Sequence, residues 1–151
     1  MQLTKFTDYS LRALVVAALR DPDLVTISEL ASLYDISEDH VRKVMHQLTC
    51  EDFLESVRGR SGGFRLARPA ELITIGQVVR STEPELRIVE CFKPSSGQCR
   101  IEPCCELKPI VREALAAFLG VLDRYTVADL IRRDRRIAAL LGLDVLDRVR
   151  S

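Results

Sequence analysis

A mainly α fold carrying one small β wing is the fold class that this 151-residue sequence predicts. Two observations carry the prediction. Apolar residues recur at three- and four-residue spacing through several separate segments, and that spacing breaks once, at a glycine-rich centre flanked by two short runs of strand-forming residues.

In chain order, TDYSLRALVVAAL predicts a first core helix. Thr7 is its expected N-cap and Asp8 lies in its first turn, where a carboxylate complements the helix dipole. Leu11, Leu14, Val15 and Ala18 follow at helical spacing, and Asp21 and Pro22 close the segment. TISELASLY carries the capping-box pattern Thr26-x-x-Glu29, with Ile27, Leu30, Ala31 and Tyr34 on one face. Asp35, Ile36 and Ser37 then break the period, and Ser37 is the expected N-cap of EDHVRKVMHQL, whose apolar face is Val41, Val44, Met45 and Leu48. Two short helices joined by a three-residue turn predict a helix-turn-helix. FLESVRGRSGGFRLARP reads as two strands around a flexible tip, the sequence shape of a wing. TIGQVVRSTEP predicts another short helix ending at Pro84. Residues 107–125 place Leu107, Ile110, Val111, Leu115, Phe118, Leu119 and Leu122 along one long helix, and the Arg- and Leu-rich tail continues helical. The expected organisation is a winged helix-turn-helix domain over 1–84, a cysteine-rich loop over 85–106, and a dimerisation helix with a helical tail over 107–151.

Composition bounds the function. With 47% hydrophobic residues the chain can bury a core, and the formal net charge of zero excludes a strongly basic tail without excluding a local basic patch. The N-terminus lacks a basic region followed by an apolar run, and the longest apolar stretch is far too short to span a bilayer, so no membrane association and a cytoplasmic location are expected. Clustered cysteines in that compartment read as metal ligands or redox sensors more readily than as structural disulfides. Catalysis is not expected: His40 and His46 both fall on the second helix of the helix-turn-helix, with no catalytic motif beside them. Cys50 at the end of that helix reads as a small buried thiol.

The helix-turn-helix with its wing predicts binding to double-stranded DNA. A reading helix presents polar side chains to base edges in the major groove, and those outside the core face are Ser37, Glu38, His40, Arg42, Lys43 and His46. The wing adds Arg58, Arg60, Arg65 and Arg68 with no acid over residues 56–70, and its glycines let guanidinium groups approach phosphate closely. The residues expected at DNA are Ser28, Ser37, His40, Arg42, Lys43, Arg58, Arg60 and Arg65. A homodimer is expected because two-fold pairing lets each half-site contact be made twice on a palindromic operator.

The segment CFKPSSGQCRIEPCC holds four of the five cysteines. The paired knuckles of zinc fingers are absent, and the adjacent Cys104 and Cys105 do not readily face one site. Cys91, Cys99 and one of that pair remain. Three thiolates plus another ligand suit an iron-sulfur cluster, with zinc or a thiol switch as alternatives.

MQLTKFTDYSLRAL, VRGRSGGFRLARP, IGQVVRSTEP and CRIEPCCELKPIVREALAAFL together resemble the NsrR branch of the winged-helix iron-sulfur repressors, relatives of IscR, over roughly residues 1–130. The resemblance implies a homodimeric repressor with one oxygen- and nitric-oxide-sensitive cluster per subunit, [4Fe-4S] in preference to [2Fe-2S]. It further implies palindromic operator DNA, nitric oxide as effector, and release of nitric oxide detoxification genes when the cluster is nitrosylated. Carried over by motif, the ligands are Cys91, Cys99 and Cys105, with Asp8 of the other subunit in the fourth place and Cys104 an extra thiol. Glu90, Glu102, Cys104 and His40 compete for the fourth place, and a first-turn carboxylate serving only the dipole is the alternative reading of Asp8.

Overall fold

Thr4, not Thr7, opens the first helix in the computed structural model, which describes residues 2–86, 88, 89, 92, 99–101 and 104–143. Helix α1 (Lys5–Arg20) starts one turn earlier than its apolar pattern suggests. The Thr4 hydroxyl accepts the Thr7 amide at 3.3 Å, and Thr7 is fully buried. Its hydroxyl is needed inside, where Thr82 donates to it at 2.9 Å. Asp8 keeps its expected place in the first turn.

Helix α1 is the central element. Ala13, Leu14, Val16, Ala17 and Leu19 are buried, while Leu11, Val15 and Ala18 pack against the same core half-covered, so both flanks of the helix are occupied. Helix α2 (Ile27–Tyr34) has Thr26 as N-cap, but only half of the expected capping box forms. Glu29 turns its carboxylate to Arg20 of α1, at 2.5 Å, instead of back to the cap. Asp35 ends α2 in the left-handed region (φ 51°), a conformation Asp tolerates better than most residues. Ser37 then caps α3 (Glu38–Cys50), with Val41, Val44, Met45 and Leu48 buried as the spacing predicts.

Strands β1 (Leu54–Val57) and β2 (Gly63–Leu66) pair antiparallel, with Glu55 opposite Arg65 and Ser56 opposite Phe64. Val25 pairs with Phe64 in an isolated bridge and so ties the wing to the α1–α2 connection. A Cβ on Gly63 would lie 2.8 Å from the Val25 carbonyl oxygen, so this close approach requires glycine. A 3-10 turn (Ala70–Leu72) leads to α4 (Ile75–Thr82), which carries a complete capping box between Thr74 and Gln77.

Helix α5 (Leu107–Leu122) is shorter than the 107–125 segment predicted, because residues 123–127 turn back to pair with residues 73–75. The described part of the tail is helical as expected, in two short pieces, α6 (Val127–Leu130) and α7 (Asp134–Leu140). Val127, Ala138 and Leu143 join the core of the helix-turn-helix. None of the described helices is long and apolar enough to cross a membrane.

Candidate nucleic-acid interface and cysteine segment

The polar side chains of α3 stand out of the core because its buried stripe uses residues 41, 44, 45 and 48 and turns the rest outward. Ser37, Glu38, His40, Arg42, Lys43 and His46 are all exposed. The Ser37 hydroxyl accepts the His40 amide at 3.4 Å and lies 3.0 Å from His40 Nδ1, so the cap also orients the imidazole. Arg42 is committed within its own helix, with Nη1 on Asp39 at 2.8 Å and Nη2 facing Glu38 at 3.8 Å. Lys43 forms no ion pair among the described residues.

The wing sits beside the helix-turn-helix, and an open groove runs between them. Thr26, Ser28, Glu38, Ser56, Arg58 and Gly62 line it, which brings the predicted contacts Ser28 and Arg58 to one surface. Gly59 at the tip has φ 127°, a backbone region where L side chains are strained. Arg58 and Arg60 are exposed without an ion pair among the described residues.

Two wing arginines have internal partners that an acid-free stretch does not foretell. Arg65 Nε donates to Glu55 Oε1 at 2.5 Å, across the two strands. The Arg68 guanidinium lies 5.1 Å over the centre of the Phe53 ring, a cation–π contact on a half-buried side chain. Among the described residues, the cations predicted at DNA on α3 and the wing that form neither an ion pair nor a ring contact are therefore Lys43, Arg58 and Arg60, a smaller set than the sequence offers.

Of the four expected cluster ligands, Cys91 lies outside the described residues, as do Glu90 and Glu102. Cys99 and Cys104 are exposed, Cys105 is half-buried, and all three are free thiols. Thiols that are neither paired nor sealed in the core fit the soft-metal donor set expected of this segment. Among the described residues no three His, Cys, Asp or Glu side chains converge on a common point. Asp8 is on the surface of α1, about half exposed, with its carboxylate 2.7 Å from Arg12. Arg12 in turn lies 5.3 Å over the Tyr34 ring. Burial of that ring pushes the Tyr34 hydroxyl above its ordinary range, with Arg12 opposing the shift.

Cys50 corrects the sequence reading: it is exposed, not buried. It is one step beyond the buried stripe of α3, and its sulfur lies 3.7 Å from His46 Nε2, one helical turn back.

Comparison with known proteins agrees with this architecture. The family model Rrf2, an iron-dependent transcriptional regulator, matches residues 3–133. The transcriptional regulator NsrR of Oceanobacillus iheyensis is 43% identical over 145 residues, covering 95% of this chain and 99% of that one. NsrR of Bacillus subtilis is 46% identical over 144 residues, with the same coverage. Among solved structures, IscR of T. potens superposes with a TM-score of 0.71 over 91% of this chain and 90% of that one, at 21% identity. At that identity the superposition shows the fold.

Proposed function

Because this chain belongs to the Rrf2 family of transcriptional regulators, we propose that it is a homodimeric repressor of palindromic operators that holds an iron-sulfur cluster and releases DNA when the cluster reacts with nitric oxide. The observation that carries the DNA reading is the common face formed by α3 and the wing. Ser28 of α2, Glu38 of α3 and Arg58 of the wing line one groove. Lys43 on α3 and Arg58 and Arg60 on the wing are exposed and form no ion pair among the described residues; Ser37, His40, Arg42 and Arg65 are the other side chains assigned to DNA. Cations held free of internal partners release counterions when they meet phosphate, which drives binding and makes it salt-dependent.

Helix α5 supports the dimer. Most of its apolar residues fall into two interleaved stripes, with exposed Ala116 outside both: Val111, Leu115, Phe118, Leu119 and Leu122 are half-buried, and Leu107, Ile110, Ala114, Ala117 and Val121 are exposed. The exposed stripe steps by three and four residues alternately, the spacing of a helix seam that packs against a second helix. Two of its members are alanines, whose short side chains admit a close approach of backbones.

We assign Cys91, Cys99, Cys105 and Asp8 of the partner subunit as the cluster ligands, with a [4Fe-4S] cluster preferred to [2Fe-2S] and one held per subunit. When bound, the cluster supplies an iron whose carboxylate ligand is poorly matched to an otherwise thiolate site and is open to exchange by a small molecule. Asp8 is suited to that place because it is about half exposed and its ion pair among the described residues is with Arg12, an i,i+4 pair at the surface that is weak in water. Ligation across subunits would fix the spacing of the two reading helices, and operator affinity depends on that spacing. Cluster state can then shift DNA affinity by a coupling of about 1–3 kcal/mol.

An anaerobic titration with nitric oxide tests the reading, with cluster absorbance and operator binding followed in parallel. Loss of absorbance and loss of DNA binding at the same equivalents are expected. DNA binding that persists after the absorbance is gone overturns nitric oxide as the effector, and the same titration with oxygen and peroxide separates the other redox signals.

A further inference from the structure

We propose that Arg80 and Asp123 form the joint that fixes the direction of α5 relative to the DNA-binding unit, so that both act as positioning residues for binding two half-sites at once. The proposal rests on the dimer reading above. Arg80 Nη1 donates to Asp123 Oδ1 at 2.6 Å and Nη2 donates to Asp123 Oδ2 at 2.6 Å. Two parallel bonds between a planar fork and a carboxylate set an orientation as well as a distance.

Asp123 is out of place by helix electrostatics. It is the C-cap of α5, where the helix dipole already concentrates negative charge, and a carboxylate there is unfavourable without a cation. Arg80 of α4 is that cation, and its donated hydrogen bond holds the Asp123 carboxyl below its ordinary range. The side chains are 43% and 40% exposed, so the pair adds little to stability, and orientation is what it supplies.

Gly76 makes the contact possible. It is buried within α4, where glycine costs about 0.5–1 kcal/mol relative to alanine. A Cβ on it would lie 1.9 Å from Asp123 Oδ1 and 2.8 Å from Arg80 Nη1, inside the space the carboxylate occupies. The glycine, the arginine one turn later and the distant aspartate therefore form one fitted unit.

The backbone reinforces it directly after Asp123. The Ile75 amide donates to the Tyr125 carbonyl and the Val127 amide to the Ile73 carbonyl, both at 2.9 Å, around a Thr74–Thr126 bridge. The other end of α5 begins two residues after Cys105, and no residue of α5 is fully buried. The C-terminal end of the helix is thus joined to α4 and to residues 73–75, and its 16 residues reach about 24 Å back to the cysteine segment, with Val111, Leu115, Phe118, Leu119 and Leu122 half-buried along the way. Over that length a small change of angle at the base becomes a displacement of several ångströms at the tip. Helix α4 packs on α1, and α1 on α3, so the angle at the joint is passed to the reading helix through packed elements.

The test uses a palindromic duplex selected from random DNA with the unaltered chain, and a second duplex keeping one of its half-sites. Asp123→Asn removes the charge and keeps the shape. It is expected to lower affinity for the palindrome by about tenfold, a usual size for site coupling, with half-site affinity and sedimentation as a dimer unchanged. Equal losses on both duplexes, or no loss on either, overturn the proposal. Gly76→Ala, which pushes the carboxylate away without altering either charged residue, should reproduce the pattern. Failure of the unaltered chain to dimerise or to select a palindrome would instead overturn the reading on which the proposal stands.

Discussion

Glu55 and Arg65 face each other at paired positions of the two-stranded wing, joined by a 2.5 Å hydrogen bond, so the wing carries its own counterion for one of its four arginines. The consequence is a ranking. Arg60→Ala and Arg58→Ala should each weaken operator binding and flatten the slope of log affinity against log salt by roughly one unit, the loss of one phosphate contact. Arg65→Ala should change the slope less, because its charge is already balanced by Glu55. Glu55→Gln frees that guanidinium and should tighten binding and steepen the slope. Titrations at several salt concentrations check all four, and equal slopes for Arg60→Ala and Arg65→Ala would remove the distinction.

The wing shows what was legible and what was not. Glycines between two β-prone runs locate the hairpin, and the two short strands form on either side of it. The acid-free stretch stops at residue 56, so the partner of Arg65 was missed by one position: strand pairing, not sequence distance, brings Glu55 opposite. In α1 the apolar spacing located the helix but not its start, because Thr4 and Thr7 are equally good caps by residue type. Only the hydroxyl of Thr82, 75 residues away, decides that Thr7 belongs inside. In α5 one apolar run held two stripes, and periodicity does not say which of them faces the helix's own chain. The cysteine segment stands out by composition, but its role as a ligand source is an expectation that Cys91, outside the described residues, and the unconverged Cys99, Cys104 and Cys105 leave to the thiol variants below.

Removal of the cap gives a direct check of the revised helix start. Thr4→Ala should lower the unfolding free energy by about 1 kcal/mol, the usual worth of an N-cap hydroxyl. The hydroxyl also donates to Glu83 at 3.1 Å, which places the loss at or above that figure. Urea denaturation measures it, and a change within error would return the cap to Thr7.

Acid should act on two carboxylates that the fold holds below their ordinary range. Arg80 donates to Asp123, and the Thr126 amide is the main cause for Asp129, assisted by the Thr126 hydroxyl and Arg132. A depressed folded pKa means stability that is present above the unfolded pKa, about 4, and is lost as pH falls through the folded value. Thermal unfolding between pH 7 and pH 2.5 should therefore decline below about pH 4. Asp129→Asn should make that decline shallower, and Asp123→Asn should do so only slightly, because the Arg80–Asp123 pair is solvent-exposed. An unchanged acid profile in both variants would assign the acid sensitivity to other groups.

The thiols make separable predictions under the cluster assignment. Cys99→Ala and Cys105→Ala should abolish the visible absorption of anaerobically purified protein, whereas Cys104→Ala should leave it nearly intact. Loss of iron in Cys104→Ala with retention in Cys105→Ala would exchange their roles. Asp8→Ala should shorten cluster lifetime or alter the nitric oxide response with little change in unfolding, since an exposed i,i+4 pair contributes only about 0.3–0.5 kcal/mol. Indifference in both readouts would leave Asp8 as a first-turn carboxylate serving the helix dipole.

The exposed stripe of α5 separates dimerisation from folding. Ile110 is 60% exposed and Leu107 is 59% exposed, so a charge at position 110 removes little contact within the chain. In a dimer seam the same charge would be buried against apolar side chains without a partner, which costs several kcal/mol. Ile110→Glu should therefore move sedimentation from twice the 17.0 kDa chain mass to the chain mass, with far-ultraviolet dichroism unchanged. Palindrome binding should fall toward that of a single half-site. Leu119→Glu is the contrasting variant: Leu119 packs on the core of its own chain, so this substitution should cost stability in the monomer itself. If Ile110→Glu remained dimeric while Leu119→Glu dissociated without unfolding, the two stripes would have to exchange their assignments.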